Sequence, residues 1–136
     1  MSLHNIVAIR QPNEPGIAIL AASDDGSLTL AEPFQPGEML SWAIRQPLSA
    51  EQDMTQTLSV TVNAQKAPDF AVMFSCIGRG PLFYGDDDRD LNAFREKLPN
   101  TPLIGAYGSG QIAPCAGRNR LFQNSVMTLL FENADV

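Results

Sequence analysis

Short apolar runs parted by turn residues organise this chain. Ile6 to Ile9 and Ile17 to Ala22 are two such runs, separated by Pro12, Asn13, Pro15 and Gly16, and they predict two strands joined by a tight loop. Asp24-Asp25-Gly26 supplies the residues of a hairpin turn, after which Leu28 and Leu30 alternate with Ser27, Thr29 and Ala31, the period-two pattern of a half-buried strand. Pro33, Pro36 and Gly37 break the chain again, and Met39, Leu40, Trp42 and Ile44 mark a fourth strand, from Met39 to Arg45, ended by Pro47. The first third therefore reads as an antiparallel meander.

The apolar interval then lengthens from two residues to three and four. Ser49 is placed as a helix N-cap with Gln52 three residues on, the pairing of a capping box, and Met54, Leu58, Thr61 and Val62 recur at helical spacing. The segment from Asn63 to Pro68 ends that helix. Phe70 to Phe74 is a continuous apolar run, which predicts a strand buried on both faces. Asp86, Asp87 and Asp88 precede Leu91, Phe94 and Leu98, which share one face of a second helix, with Arg95 and Lys97 near its end. Acid first and base last complements the helix dipole, and Pro99 and Pro102 stop the helix.

Leu103 to Tyr107 is predicted as a strand, Gln111 to Ala113 as its hairpin partner, and Val126 to Phe131 as the last strand. Four strands, a helix, a strand, a helix and three strands make an α+β fold class, a mostly antiparallel sheet with two helices packed on one face.

With 136 residues, 44% of them hydrophobic, the chain suits one domain with a core of its own. We take it as residues 5–133, with residues 1–4 as a leader or disordered terminus. The net charge of -6 and sequence pI of about 4.5 disfavour phosphate backbones and anionic headgroups, so neither nucleic acid nor a membrane is an expected partner. Arg79, Arg89, Arg95, Lys97, Arg118 and Arg120 are interleaved with Asp86, Asp87, Asp88, Asp90 and Glu96, which describes a mixed ionic surface and not a phosphate track. No apolar run approaches the ~20 residues of a membrane span, and there is no signal-peptide pattern, so a soluble, cytoplasmic protein is expected. Cys76 and Cys115 lack metal-ligand spacing and His4 is the single histidine. Neither a zinc site nor any cofactor is expected, and reduced thiols are the default.

Candidate chemistry concentrates at two glycine turns, Ser75-Cys76-Ile77-Gly78-Arg79-Gly80 and Gly108-Ser109-Gly110-Gln111-Ile112-Ala113-Pro114. Glycine lets another group approach the main chain closely, which makes both turns candidate working surfaces. Arg79, between two glycines, either offers a forked guanidinium to a carboxylate or phosphate or ties its turn to Asp86 or Asp88. Cys76 is a strand-end thiol, buried or nucleophilic. Tyr107 and Gln111 flank the second turn and either line a pocket or pack a hairpin. Asn124 either meets a ligand or bonds local backbone. The acidic run from Asp86 to Asp90 lacks the glycine and final glutamate of a calcium loop and reads as a helix cap.

The ordered set of Cys76-Ile77-Gly78-Arg79-Gly80, Pro102-Leu103-Ile104-Gly105-Ala106-Tyr107 and Gly108-Ser109-Gly110-Gln111-Ile112-Ala113-Pro114 resembles the C-terminal domain of the FIST family (F-box and intracellular signal transduction proteins, FIST_C). Val7-Ala8-Ile9-Arg10, Gly26-Ser27-Leu28, Pro36-Gly37-Glu38 and Asn124-Ser125 match shorter blocks in the same order, so the resemblance runs from about Asn5 to Phe131. It implies a sensory or signal-transduction input domain that binds a small ligand such as an amino acid and has no catalytic activity. It also implies an N-terminal FIST domain or a signalling output domain as partner. Gln111 stands where family sequences often carry Glu, which removes a charge from the second turn, and the histidine often found near Asn124 is missing.

The leading expectation is thus a non-enzymatic module binding a small polar ligand at Arg79, Tyr107, Gln111, Asn124 and Cys76, with no metal. An interaction or homo-oligomerisation domain built on the strands and Trp42 is the alternative. The third reading is an enzyme with Cys76 as nucleophile beside Asp86 or Tyr107.

Overall fold

The computed structural model describes residues 3–12, 14–62, 67–115 and 117–133, and the chain comprises two compact units, Met1–Gln46 and Pro47–Val136. Of the expected leader, Met1 and Ser2 lie outside the described residues and Leu3 opens a 3-10 turn to Asn5. Asn13 and residues 63–66 of the expected helix-ending segment also lie outside them.

In the first unit the apolar runs become β1 (Ile6–Ile9), β2 (Ile17–Ala22), β3 (Leu28–Leu30) and β4 (Ser41–Ile44). Their order is β3-β2-β1-β4 and every pairing is antiparallel. The expected meander fails at its last step, because β4 pairs with β1, placing Trp42 opposite Ala8 and Ile44 opposite Ile6. The segment from Ala31 to Leu40 carries Pro33 and Pro36, which have no N–H for a ladder, and it forms the return. Arg10 holds that return: Nη1 donates to Glu32 at 3.2 Å, Nη2 to the Pro33 carbonyl at 2.9 Å, and the guanidinium lies 4.6 Å from the Phe34 ring centre. At the β2–β3 turn the Ser27 N–H donates to Asp25 Oδ1 at 2.9 Å, and this bond holds the Asp25 carboxyl below its ordinary range. Val7, Ala8, Ile17 and Ile19 are the buried apolar residues of this unit.

The second unit contains α1 (Pro47–Thr61), β5 (Phe70–Cys76), a 3-10 turn at Ile77–Arg79, α2 (Pro81–Tyr84), α3 (Arg89–Lys97), β6 (Leu103–Gly108), β7 (Gln111–Cys115), β8 (Arg118–Phe122) and β9 (Val126–Phe131). α1 starts at Pro47, so Ser49 lies inside the helix and is not its N-cap. The fixed φ of proline and its missing N–H suit a first helical position. Asp88 does cap α3, accepting from the Leu91 N–H at 3.0 Å.

β5 is the centre of a sheet of order β6-β5-β9, parallel to β6 and antiparallel to β9. β7 is not the hairpin partner of β6. It pairs with β8, Gln111 opposite Phe122 and Cys115 opposite Arg118, and Arg118 and Arg120 of the expected ionic surface lie within that strand. β5 departs from expectation too: Ala71, Met73 and Ser75 are buried while Phe70 and Phe74 are exposed, so one face is covered and not two. Met54 and Leu58 of α1, Ala71 and Met73 of β5, and Phe94 and Leu98 at α3 form the core, the larger side chains each contributing about 1.5–3 kcal/mol by burial. The three α-helices and nine strands described make an α+β fold in which β5–β6 is the one parallel pair among the described residues.

Candidate functional site

The first glycine turn is fixed to the sheet before any side chain is considered. The Cys76 N–H donates to the Ser125 carbonyl at 2.8 Å, and the Gly80 N–H closes the 3-10 turn on the Ile77 carbonyl at 3.3 Å. This geometry sends the Arg79 side chain toward α1 and α3. Its Nε donates to Asp90 Oδ2 at 2.7 Å, and Nη2 donates both to Asp90 Oδ1 at 3.0 Å and to the Ala50 carbonyl at 2.8 Å. Tyr84 donates its hydroxyl to Asp90 Oδ1 at 2.9 Å. Asp90 is fully buried, so these bonds replace the water its carboxylate has lost.

Arg79 is therefore tied to Asp90 and not to Asp86 or Asp88. Asp88 is committed to the α3 cap and to the Tyr107 hydroxyl, whereas Asp90, in the first turn of α3, reaches the interior. Burial pulls the Arg79 pKa down, but the hydrogen bond and charge of Asp90 outweigh it and the net shift is upward. The Tyr84 phenol is pushed well above its ordinary value, chiefly by burial, with Arg79 opposing and Asp90 reinforcing.

Arg79 also forms part of the wall of a cavity of about 220 Å³. Asp53, Thr57 and Thr61, one polar stripe of α1 at intervals of four, line it together with Asn124, Ser125 and Thr128. Met54, Leu58, Val126 and Leu130 supply its apolar part. Nη1 of Arg79 is the one guanidinium nitrogen with no hydrogen bond to a described residue. Asn124 adopts a left-handed backbone with φ 55°, and its Oδ1 occupies the place where a Cβ on residue 78 would stand, so a side chain at residue 78 would displace the Asn124 amide. The Thr128 hydroxyl is buried and has no hydrogen-bond partner among the described residues.

Gln111 reaches the same wall indirectly. Its Oε1 accepts from the Ser125 hydroxyl, while its Nε2 is buried with no partner among the described residues. Tyr107 is apart from this group: it lines a second cavity of about 260 Å³ with Ser75, Asp88, Arg95 and Leu103. Its ring edge lies against Gly80, and burial followed by its bond to Asp88 pushes its phenol up to about 12. Cys76 is buried and free, and Cys115 is partly buried and free. Of the five expected site residues, the structure thus brings Arg79 and Asn124 to one cavity, attaches Gln111 to it through Ser125, buries Cys76 behind Gly78, and places Tyr107 elsewhere.

The expected residue set lacks Asp53, Thr57, Thr61 and Thr128. The stripe of Asp53, Thr57 and Thr61 is legible beside the apolar stripe of Met54 and Leu58, but nothing local shows that it faces β9. Among the described residues no group of three His, Cys, Asp or Glu side chains is placed to hold a metal ion, and no helix is long and apolar enough to cross a membrane.

A family profile described as the FIST C domain matches residues 2–114. The chain is similar to the uncharacterized protein Mb0898c of Mycobacterium bovis, 33% identical over 109 residues, which cover 78% of this chain and 28% of that protein. It is 29% identical to the uncharacterized protein Rv0628c of Mycobacterium tuberculosis, with the same coverage of both chains. It is 34% identical over 65 residues to F-box only protein 22 of Pongo abelii, 47% of this chain and 16% of that one. The chain thus spans just over a quarter of the length of the mycobacterial relatives it matches.

Proposed function

The chain belongs to the FIST C domain family, which is associated with signal transduction, and from that premise we propose that it is a non-enzymatic, cytoplasmic sensory input domain binding a small polar ligand such as an amino acid. The observation that carries this reading is the cavity between α1 and β9, where a partly engaged guanidinium, an acidic side chain and a buried unpartnered hydroxyl converge. Its volume of about 220 Å³ lies below the ~300–1,000 Å³ of drug-sized sites, which selects a metabolite of few heavy atoms. An α-amino acid matches the polarity of the walls: its carboxylate would take the remaining Nη1 donors of Arg79, its ammonium would approach Asp53, and the Thr128 hydroxyl and Asn124 amide would fix its orientation. The neutral Gln111 takes no part in charge recognition.

Such a ligand signals only if it favours one arrangement of the protein over another. The joint between the Gly78 turn and Asn124 is where we place that choice, and a signalling output domain or an N-terminal FIST domain is where we place the readout. The test is a thermal-shift screen of the chain against the common amino acids and simple carboxylates, in which a hit at a hundred times its Kd stabilises by about 2.7 kcal/mol. Because Arg79 also supports the fold, the deciding variants are Thr128→Val and Asp53→Asn. Both are expected to fold as the parent does and to lose the shift. A screen without hits, or hits undiminished in both variants, overturns the reading.

A further inference from the structure

The β6-β5-β9 sheet has two faces of different character. Ala71, Met73 and Ser75 of β5 look into the core side. The pairing register puts Phe70, Val72 and Phe74 on the opposite face with Ile104 and Ala106 of β6 and with Phe131, Leu129 and Met127 of β9. No polar or charged residue interrupts that face across three strands. Phe70 and Phe131 stack there with ring centres 4.4 Å apart. Yet Phe70, Phe74, Ile104, Leu129 and Phe131 remain 39–72% exposed.

An antiparallel or mixed sheet with one wet face normally alternates polar residues onto that face, and a monomer seldom keeps so large an unbroken apolar patch. At their observed exposures these five side chains present roughly 500 Å² of apolar surface. A standard stable interface takes ~800 Å² from each partner, about 60% of it apolar. The face therefore supplies the apolar centre that one side of such an interface needs.

We propose that this face is covered by a second copy of the same chain, the two β6-β5-β9 sheets packing face to face about a two-fold axis. An isologous contact needs a patch that tolerates its own image. Like charges would forbid that, and this face has none although each chain carries a net charge of -6. Sheets packed in this way lie about 10 Å apart with side chains interdigitated.

Sedimentation of the whole chain over a range of concentrations tests the proposal. The expected result is a monomer–dimer equilibrium that Ile104→Lys and Leu129→Lys, both on the exposed face, weaken at least tenfold while circular dichroism stays unchanged. Trp42→Ser, in the other unit, leaves the equilibrium as it was. A chain that stays monomeric at high concentration, one that forms an open ladder of larger species in place of a dimer, or a dimer that survives both lysine changes overturns it.

Discussion

Arg79 grips both carboxylate oxygens of Asp90 inside the protein, at 2.7 and 3.0 Å, and bonds the Ala50 carbonyl at 2.8 Å, so this residue of the first glycine turn is a strut joining α1 to α3 and only secondarily a cavity wall. A buried pair gains little over an apolar replacement, but removing one partner strands a charge. Asp90→Ala is therefore expected to destabilise the second unit by about 3–5 kcal/mol. Urea unfolding followed through Tyr84 and Tyr107, the two tyrosines of that unit, measures it. Replacing Arg79, Tyr84 and Asp90 together with Met, Phe and Leu is expected to recover most of the loss. A single Asp90→Ala change costing under about 1 kcal/mol would show that water reaches the Arg79 guanidinium left without its partner.

Glycine is required at two places for different reasons, and the two substitutions should differ in severity. A Cβ at Gly105 would overlap the Met73 carbonyl oxygen of the paired strand, and backbone cannot step aside without parting β5 from β6. A Cβ at Gly78 would meet the Asn124 side-chain oxygen, which can rotate. Gly105→Ala is expected to cost about 3 kcal/mol and Gly78→Ala about 1 kcal/mol. Gly78→Ala should nevertheless abolish any ligand response, because it displaces Asn124 from the cavity. Equal stability losses in the two variants would contradict this account.

The elements themselves were legible from spacing, because eight of the nine strands and two of the three α-helices coincide with apolar runs of the matching period. Pairing was not. β4 returns to β1, and β7 leaves β6 for β8, since strand partners are chosen by connections that leave no periodic mark. Phe70 to Phe74 misled in another way: an unbroken apolar run describes a strand with two apolar faces whether or not this chain covers both. The cavity was half legible. Arg79 and Asn124 stand out at glycine turns, but Thr128 looks like any strand threonine until its hydroxyl is found buried without a partner.

Both tyrosines should titrate late. The phenols of Tyr84 and Tyr107 are raised from the ordinary ~10, Tyr107 to about 12. A raised folded-state pKa contributes stability that is complete below the unfolded value and is lost as pH climbs through the folded one. The protein should thus weaken between pH ~10 and ~12, its phenolate absorbance appearing with unfolding. Tyr107→Phe should remove the step near 12. A native chain half-ionised at pH ~10 would mean that neither hydroxyl is held by its aspartate.

The two thiols should differ in the order opposite to that expected of an enzyme built on Cys76. Cys76 is buried and free, and among the described residues no base is bonded to it. Cys115 is partly exposed at the end of β7, which among the described residues pairs with β8 alone. Thiolate formation and access together govern alkylation, so iodoacetamide at neutral pH should label Cys115 first and Cys76 no faster than local opening of β5 permits. Mass spectrometry of partially labelled protein reads the order directly. Because Cys76 lies behind Gly78, a ligand in the Arg79–Asn124 cavity should slow its labelling further. Preferential labelling of Cys76 over Cys115 would restore the nucleophile reading and displace the sensory one.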